Sequence, residues 1–191
     1  MHFPKQARAL LLLLGVSSKA RTASAYDCFD ADGTDLKTQV NAYTANPSGY
    51  SSSKYGPFED WCTTPVTTMR ELFYNKADFN ANITAWDTSS VTDMSYMFYY
   101  ASAFNQDLST WDTSSVTNMY RMFFYASAFN QNLCAWKDKF PYSNAAQIFE
   151  NSGCTDQTTP ISDQSAFCAG SAEVCQAYTA ATPVPTNSPT K

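Results

Sequence analysis

The sequence predicts an α/β solenoid: a short stack of coils, each contributing a parallel strand and a short helix, closed at both ends by disulfide-bonded caps. Three observations carry that prediction. The first is a period: WDTSSVTDMSYMFYYASAFNQDLST from Trp86 recurs as WDTSSVTNMYRMFFYASAFNQNLCA from Trp111, with 18 of 25 positions identical. A looser copy starts at Trp61 and a decaying one at Trp136. Units of this length bury their apolar sides by stacking on one another. The second is a set of apolar columns running through the copies. The third is cysteine placement, with Cys62 and Cys134 at the two ends of the array.

Residues 1–25 read as a signal peptide. Lys5 and Arg8 precede the apolar run from Ala9 to Val16, and the small residues Ala23, Ser24 and Ala25 offer a cleavage site. That run is far shorter than the roughly 20 residues a membrane helix needs, and no later stretch is a candidate, so a secreted or surface-displayed chain without a transmembrane segment is expected. Cleavage removes four basic residues and leaves 8 against 17 acidic ones, a net charge of −9. Such a chain lacks the basic patch that nucleic acid requires. His2 is the only histidine and leaves with the signal, so His-based catalysis and zinc sites are not expected.

Residues 26–60 form the expected N-terminal cap. Thr34 is a candidate helix N-cap, Asp35 suits the helix dipole, and Leu36, Val40 and Tyr43 share one face before Asn46-Pro47-Ser48-Gly49 ends the helix. Asp30-Ala31-Asp32-Gly33 resembles the start of a calcium loop, but the further carboxylates of such a loop are missing. No cofactor or metal is expected. Six cysteines in an exported chain predict three disulfides. Of the 15 pairings, Cys28 with Cys62, Cys134 with Cys154 and Cys168 with Cys175 would fasten both ends of the stack.

Three repeats are expected over residues 61–135. The columns Val66/Val91/Val116, Met69/Met94/Met119, Leu72/Met97/Met122, Phe73/Phe98/Phe123, Phe79/Phe104/Phe129 and Ile83/Leu108/Leu133 should face inward. Helical spacing over Val91, Met94, Met97, Phe98 and Ala101 predicts a short helix. From Leu108 to Val116 the spacing fits the LxxLxLxxN pattern of a leucine-rich repeat, which predicts a strand at the tryptophan. Asn80, Asn105 and Asn130 should form a ladder bonded to neighbouring backbone inside the coil. Asn82-Ile83-Thr84 is the usable glycosylation sequon.

The motif WDTSSVT-x-M-x-x-MF-x-x-A-x-x-FNQ-x-L resembles the BspA-like leucine-rich repeat family of surface proteins, over about Trp61 to Cys154. Asp35-Leu36-Lys37, Tyr55-Gly56 and Trp61 are similar to that family's entry segment. The resemblance implies a secreted or surface-displayed interaction module with no catalytic residues. Cys62-Thr63-Thr64-Pro65 and Trp136 to Pro141 depart from the motif and imply capping coils, and residues 136–180 are expected as a C-terminal cap. Residues 181–191, rich in Pro and Thr, read as an extended stalk.

A binding module for a protein or glycan partner is the leading expectation. Asp87 and Asp112, with Thr110 beside them, should stand outward on strands about 4.8 Å apart, and Tyr99 and Tyr100 form the second candidate surface. A wall or matrix glycoprotein is the alternative. A glycan hydrolase is the remote third: Asp87 and Asp112 could sit about 5 to 10 Å apart as that chemistry needs, but nothing supplies a cleft.

Overall fold

The computed structural model describes residues 26–177. The expected signal peptide and the Pro/Thr-rich tail lie outside the described residues. The described residues begin with a cap around the helix α1, Thr34–Ala45. Gly33, not Thr34, is its N-cap, and Thr34 is the first helical residue. Gly33 has φ of 70°, and an added Cβ would lie 2.5 Å from the Thr68 carbonyl oxygen, so only glycine fits. Leu36 and Val40 are buried and Tyr43 packs on the core. Phe29 stacks on Tyr55 at 4.1 Å and Tyr43 on Phe58 at 4.0 Å, and these rings cover the first tryptophan, Trp61. The Cys28–Cys62 disulfide, as expected, ties this cap to the first coil.

The predicted α/β architecture does not form. Among the described residues no strand of more than a single bridge is present. Parallel contact between coils is reduced to isolated bridges, Thr68 with Asp93 and Asp93 with Asn118. The helices among the described residues are α1, a short α2 at Ala172–Ala177, and short 3₁₀ segments, of which only the start of Cys134–Lys139 touches the end of the third repeat. The repeats themselves are built from turns. At the tryptophan, where a strand was expected, the Trp86 N–H donates to the Ile83 carbonyl and the Val91 N–H to the Thr88 carbonyl, so the chain turns on both sides.

The expected helix is replaced by overlapping turns with a regular rule. In the first coil the N–H groups of Leu72, Tyr74 and Lys76 donate three residues back, to Met69, Glu71 and Phe73. The intervening N–H groups of Met69, Glu71, Phe73 and Asn75 donate instead to Asp93, Ser95, Met97 and Tyr99 of the next coil. The same pattern joins Met94, Tyr96, Phe98 and Tyr100 to Asn118, Tyr120, Met122 and Phe124. Two residues per coil take the left-handed conformation that lets the chain do this: Glu71 and Asn75, Tyr96 and Tyr100, Arg121 and Tyr125, Gln147 and Asn151, with φ between 52° and 58°. A right-handed helix cannot pass through such residues.

The apolar columns hold as the period requires. The tryptophans are at most 4% exposed, and every Val, Met, Phe, Leu and Ile of the six columns is at most 6% exposed. Phe73, Phe98 and Phe123 stack at 5.2 and 5.3 Å. Phe79, Phe104 and Phe129 stack at 5.8 and 5.9 Å. The register continues past Trp136 with one residue added between that tryptophan and Asn144, and Ala145, Ile148 and Phe149 continue the columns fully buried.

Polar groups also repeat. Asn80 Oδ1 accepts from the Asn105 N–H, and Asn105 Oδ1 from the Asn130 N–H, both at 3.0 Å. Gln106 and Gln131 add their amides to the same acceptors. The ladder bonds to neighbouring backbone as expected but lies at the exposed rim rather than inside the coil. Trp111 and Trp136 donate Nε1 to the carbonyls of Ile83 and Leu108. Trp86 Nε1 is buried without a partner. The residue one period before Ile83 is Phe58, which belongs to the cap rather than to a coil, so the acceptor that Ile83 and Leu108 supply is not repeated there.

The C-terminal end corrects two disulfides. Cys134 bonds to Cys175, not Cys154, and Cys168 bonds to Cys154, not Cys175. The physical reason is a return of the chain. A single antiparallel bridge sets Cys168 against Asn132 of the third coil, with Cys154 nearby, while α2 packs on the 3₁₀ helix Cys134–Lys139. Lys137, 3% exposed, donates to the Cys175 carbonyl at 2.7 Å and fixes α2 there. The last coil's N–H groups on Gln147 and Asn151 donate to Thr159 Oγ1 and Gln157 Oε1.

Candidate functional site

The two candidate surfaces lie on different parts of the coil. Asp87 and Asp112 follow the tryptophans, and their carboxylates are engaged in local turns rather than displayed from strands. Asp87 Oδ1 accepts from the Ser89 N–H at 3.0 Å and its hydroxyl at 2.6 Å, while Oδ2 accepts from the Thr64 hydroxyl at 3.0 Å. Asp112 Oδ1 accepts from the Ser114 N–H at 2.8 Å. Hydrogen bonds from the side chain and backbone of Ser114 hold the Asp112 carboxyl below its usual range. The same residues' carbonyls accept from Thr63 and Thr88, one coil back, at 2.9 Å. Thr110 is exposed in a neighbouring turn. This column serves turn geometry and coil stacking.

The tyrosine surface follows the column spacing of the repeat and extends beyond Tyr99 and Tyr100. Equivalent side chains of successive coils emerge in register, because the N–H groups of Asn75 and Tyr100 donate to the Tyr99 and Phe124 carbonyls of the next coil. Tyr74, Tyr99 and Phe124 form one stack, at 4.9 and 5.1 Å with planes within 7°. Tyr100 and Tyr125 form a second at 4.7 Å and 2°. Tyr99 meets Tyr100 edge-on at 4.8 Å, which joins the two stacks. Tyr74, Tyr100 and Tyr125 are 40 to 42% exposed, whereas Tyr99 is half-buried and burial raises its phenol pKa.

Four further residues complete the face and were not singled out from the sequence. Tyr96 packs edge-on against Tyr99 and Tyr120. The Arg70 guanidinium lies 5.1 Å from the Tyr96 ring, and Arg121 lies 5.0 Å from Tyr120 and 4.9 Å from Phe124. These are the only arginines among the described residues. Both are held in place, Arg70 by Ser95 and Glu71 and Arg121 by Gln147. Their signal in the sequence is a column, Glu71/Tyr96/Arg121 beside Arg70/Ser95/Tyr120, in which charge and aromatic ring alternate from coil to coil.

Elsewhere, an open cavity of about 310 Å³ separates α1 from the first coil, lined by Asp32, Lys37, Asn41, Thr68 and Arg70 among others. Among the described residues no three His, Cys, Asp or Glu side chains gather where a metal ion could be held. No helix among them is long and apolar enough to cross a membrane. Asn82 of the sequon is exposed, its Oδ1 accepting from the Thr84 N–H at 3.0 Å.

Comparison with known proteins finds no match among curated proteins and none among solved structures. The profile of one family, described as "Mycoplasma protein of unknown function, DUF285", matches residues 41–162, which is more than half of the chain and includes all the repeats and most of both columns' flanking coils. The chain therefore belongs to the DUF285 family.

Proposed function

We propose that this chain is a non-catalytic binding module, secreted or displayed at a cell surface in the manner of the BspA-like proteins its motif resembles, and that it contacts a protein partner through the tyrosine and arginine face. The observation that carries the reading is the pair of ring stacks, Tyr74/Tyr99/Phe124 and Tyr100/Tyr125, flanked by both arginines. Tyrosine and arginine are the residues that most often dominate binding energy at interfaces. Rings already ordered against the next coil lose little side-chain entropy on contact. A protein is favoured over a glycan because neighbouring rings cover one another's faces, leaving edges and hydroxyls, whereas sugar binding uses open ring faces. The carboxylates of Asp87 and Asp112 are already engaged, which moves the proposed contact away from them.

The test starts with partners recovered from a surface extract on the purified protein. Tyr100→Ala with Arg121→Ala should weaken the recovered partner's binding at least tenfold, while Asp87→Asn with Asp112→Asn should leave it within about twofold, each with unchanged circular dichroism. The opposite ranking refutes the proposed face.

A further inference from the structure

We propose that Tyr100 and Tyr125 form an oxidative cross-linking site, at which an external peroxidase with hydrogen peroxide joins the two rings as dityrosine. The inference is independent of the partner-binding reading and rests on how the fold distributes its oxidisable groups. The two rings lie face to face, centroids 4.7 Å apart and planes within 2°. Both are about two-fifths exposed, so an oxidant reaches them. Their coils are locked in register by the Tyr100 N–H, which donates to the Phe124 carbonyl at 2.9 Å. That register keeps the two rings paired across adjacent coils.

The alternative electron donors are withdrawn. Met69, Met94, Met97, Met119 and Met122 are at most 1% exposed, and the four tryptophans at most 4%. The six cysteines are already paired, and the described residues contain no histidine. Exposed phenols are therefore the accessible sink for oxidation. Within the face, the other stacked pair is less suited: Tyr99 is half-buried, and the stack ends in Phe124, which has no phenol. Tyr96 and Tyr120 meet at 79°, which keeps their ortho carbons out of parallel alignment.

The chemistry balances as follows. The peroxidase removes one electron and one proton from each phenol, and the two electrons and two protons reduce one hydrogen peroxide to two waters. The two phenoxyl radicals carry spin at their ortho carbons and couple there to form one carbon–carbon bond. The two ortho hydrogens then move to the oxygens, restoring both phenols. The protein loses two hydrogens and gains a covalent staple between its second and third coils.

The experiment treats dilute purified protein with a haem peroxidase and limiting hydrogen peroxide. The expected result is dityrosine fluorescence in the monomer fraction, a mass lower by two hydrogens, and a linked peptide pair containing Tyr100 and Tyr125. Tyr125→Phe, which keeps the ring stack, should abolish that pair and the monomer fluorescence. Intact Tyr100 and Tyr125 peptides, coupling confined to dimers, or a monomer link that persists in Tyr125→Phe would each overturn the proposal.

Discussion

Trp86 and Trp111 occupy the same position one coil apart, are equally buried, and differ in a single hydrogen bond. Trp111→Phe removes one of the two hydrogen bonds that the Ile83 carbonyl accepts, the other coming from the Trp86 N–H, whereas Trp86→Phe removes a buried donor that has no partner. Trp111→Phe should therefore destabilise by about 1 kcal/mol more than Trp86→Phe, a difference that denaturant melts can resolve. Equal losses would mean that water satisfies Trp86 as well as Ile83 satisfies Trp111. The left-handed residues make a second comparison. Tyr100→Asn and Tyr100→Val both remove the ring stack, but asparagine tolerates positive φ and a β-branched residue does not. The valine variant should be the less stable by about 1 to 2 kcal/mol; no difference would put the backbone at residue 100 in another conformation.

A coil of this protein is legible in sequence as a period and as a list of buried positions, but not as a backbone path. Met94, Met97, Phe98 and Ala101 are all buried, as a helix predicts, because a run of three-residue turns places apolar side chains at much the same spacing. What distinguishes the two paths is the pair of left-handed residues. Asparagine announces them only at Asn75 and Asn151, while Tyr96, Tyr100, Arg121 and Tyr125 give no such signal. The site was legible only in part for a different reason: a helix would also set Tyr96 beside Tyr99 and Tyr100, but the column Glu71/Tyr96/Arg121 changes residue type from coil to coil, so no repeated side chain marks it. The asparagine ladder was readable because its chemistry is indifferent to the path. Its test is Asn105, whose Oδ1 accepts from Asn130 and Gln131. Asn105→Leu should cost about 1 to 2 kcal/mol. Asn105→Asp retains the acceptor and should cost less than half as much near neutral pH, with the advantage disappearing when the carboxyl is protonated.

Across the whole chain, titration sets both ends of the stability profile. Asp35 and Asp112 have folded pKa values below 3.8, Asp35 chiefly through its hydrogen bond from Tyr55 and Asp112 through those from Ser114. Their contribution is present above the unfolded value and is lost as pH falls through the lower folded values. Burial raises Tyr142 to about 12 from 10.0. Its contribution is present below pH 10 and is lost as pH rises toward 12, because the unfolded chain releases the proton first. Thermal melts should therefore be nearly flat between about pH 5 and about pH 9, with no step near neutrality since no histidine lies among residues 26–177. Tyr142→Phe should flatten part of the alkaline decline; an unchanged alkaline limb would assign it to other groups. The three disulfides have a mechanical consequence. They clasp the two ends, and none crosses from Cys62 to Cys134. The hydrogen bonds between coils run along the direction in which the coils are stacked, so tension applied at residues 26 and 177 loads them one row at a time. The molecule should yield by peeling in steps of one coil, paying out on the order of 240 Å of chain at about 3.4 Å per residue before the clasped ends bear the load, which makes it an extensible tether with a fixed stop.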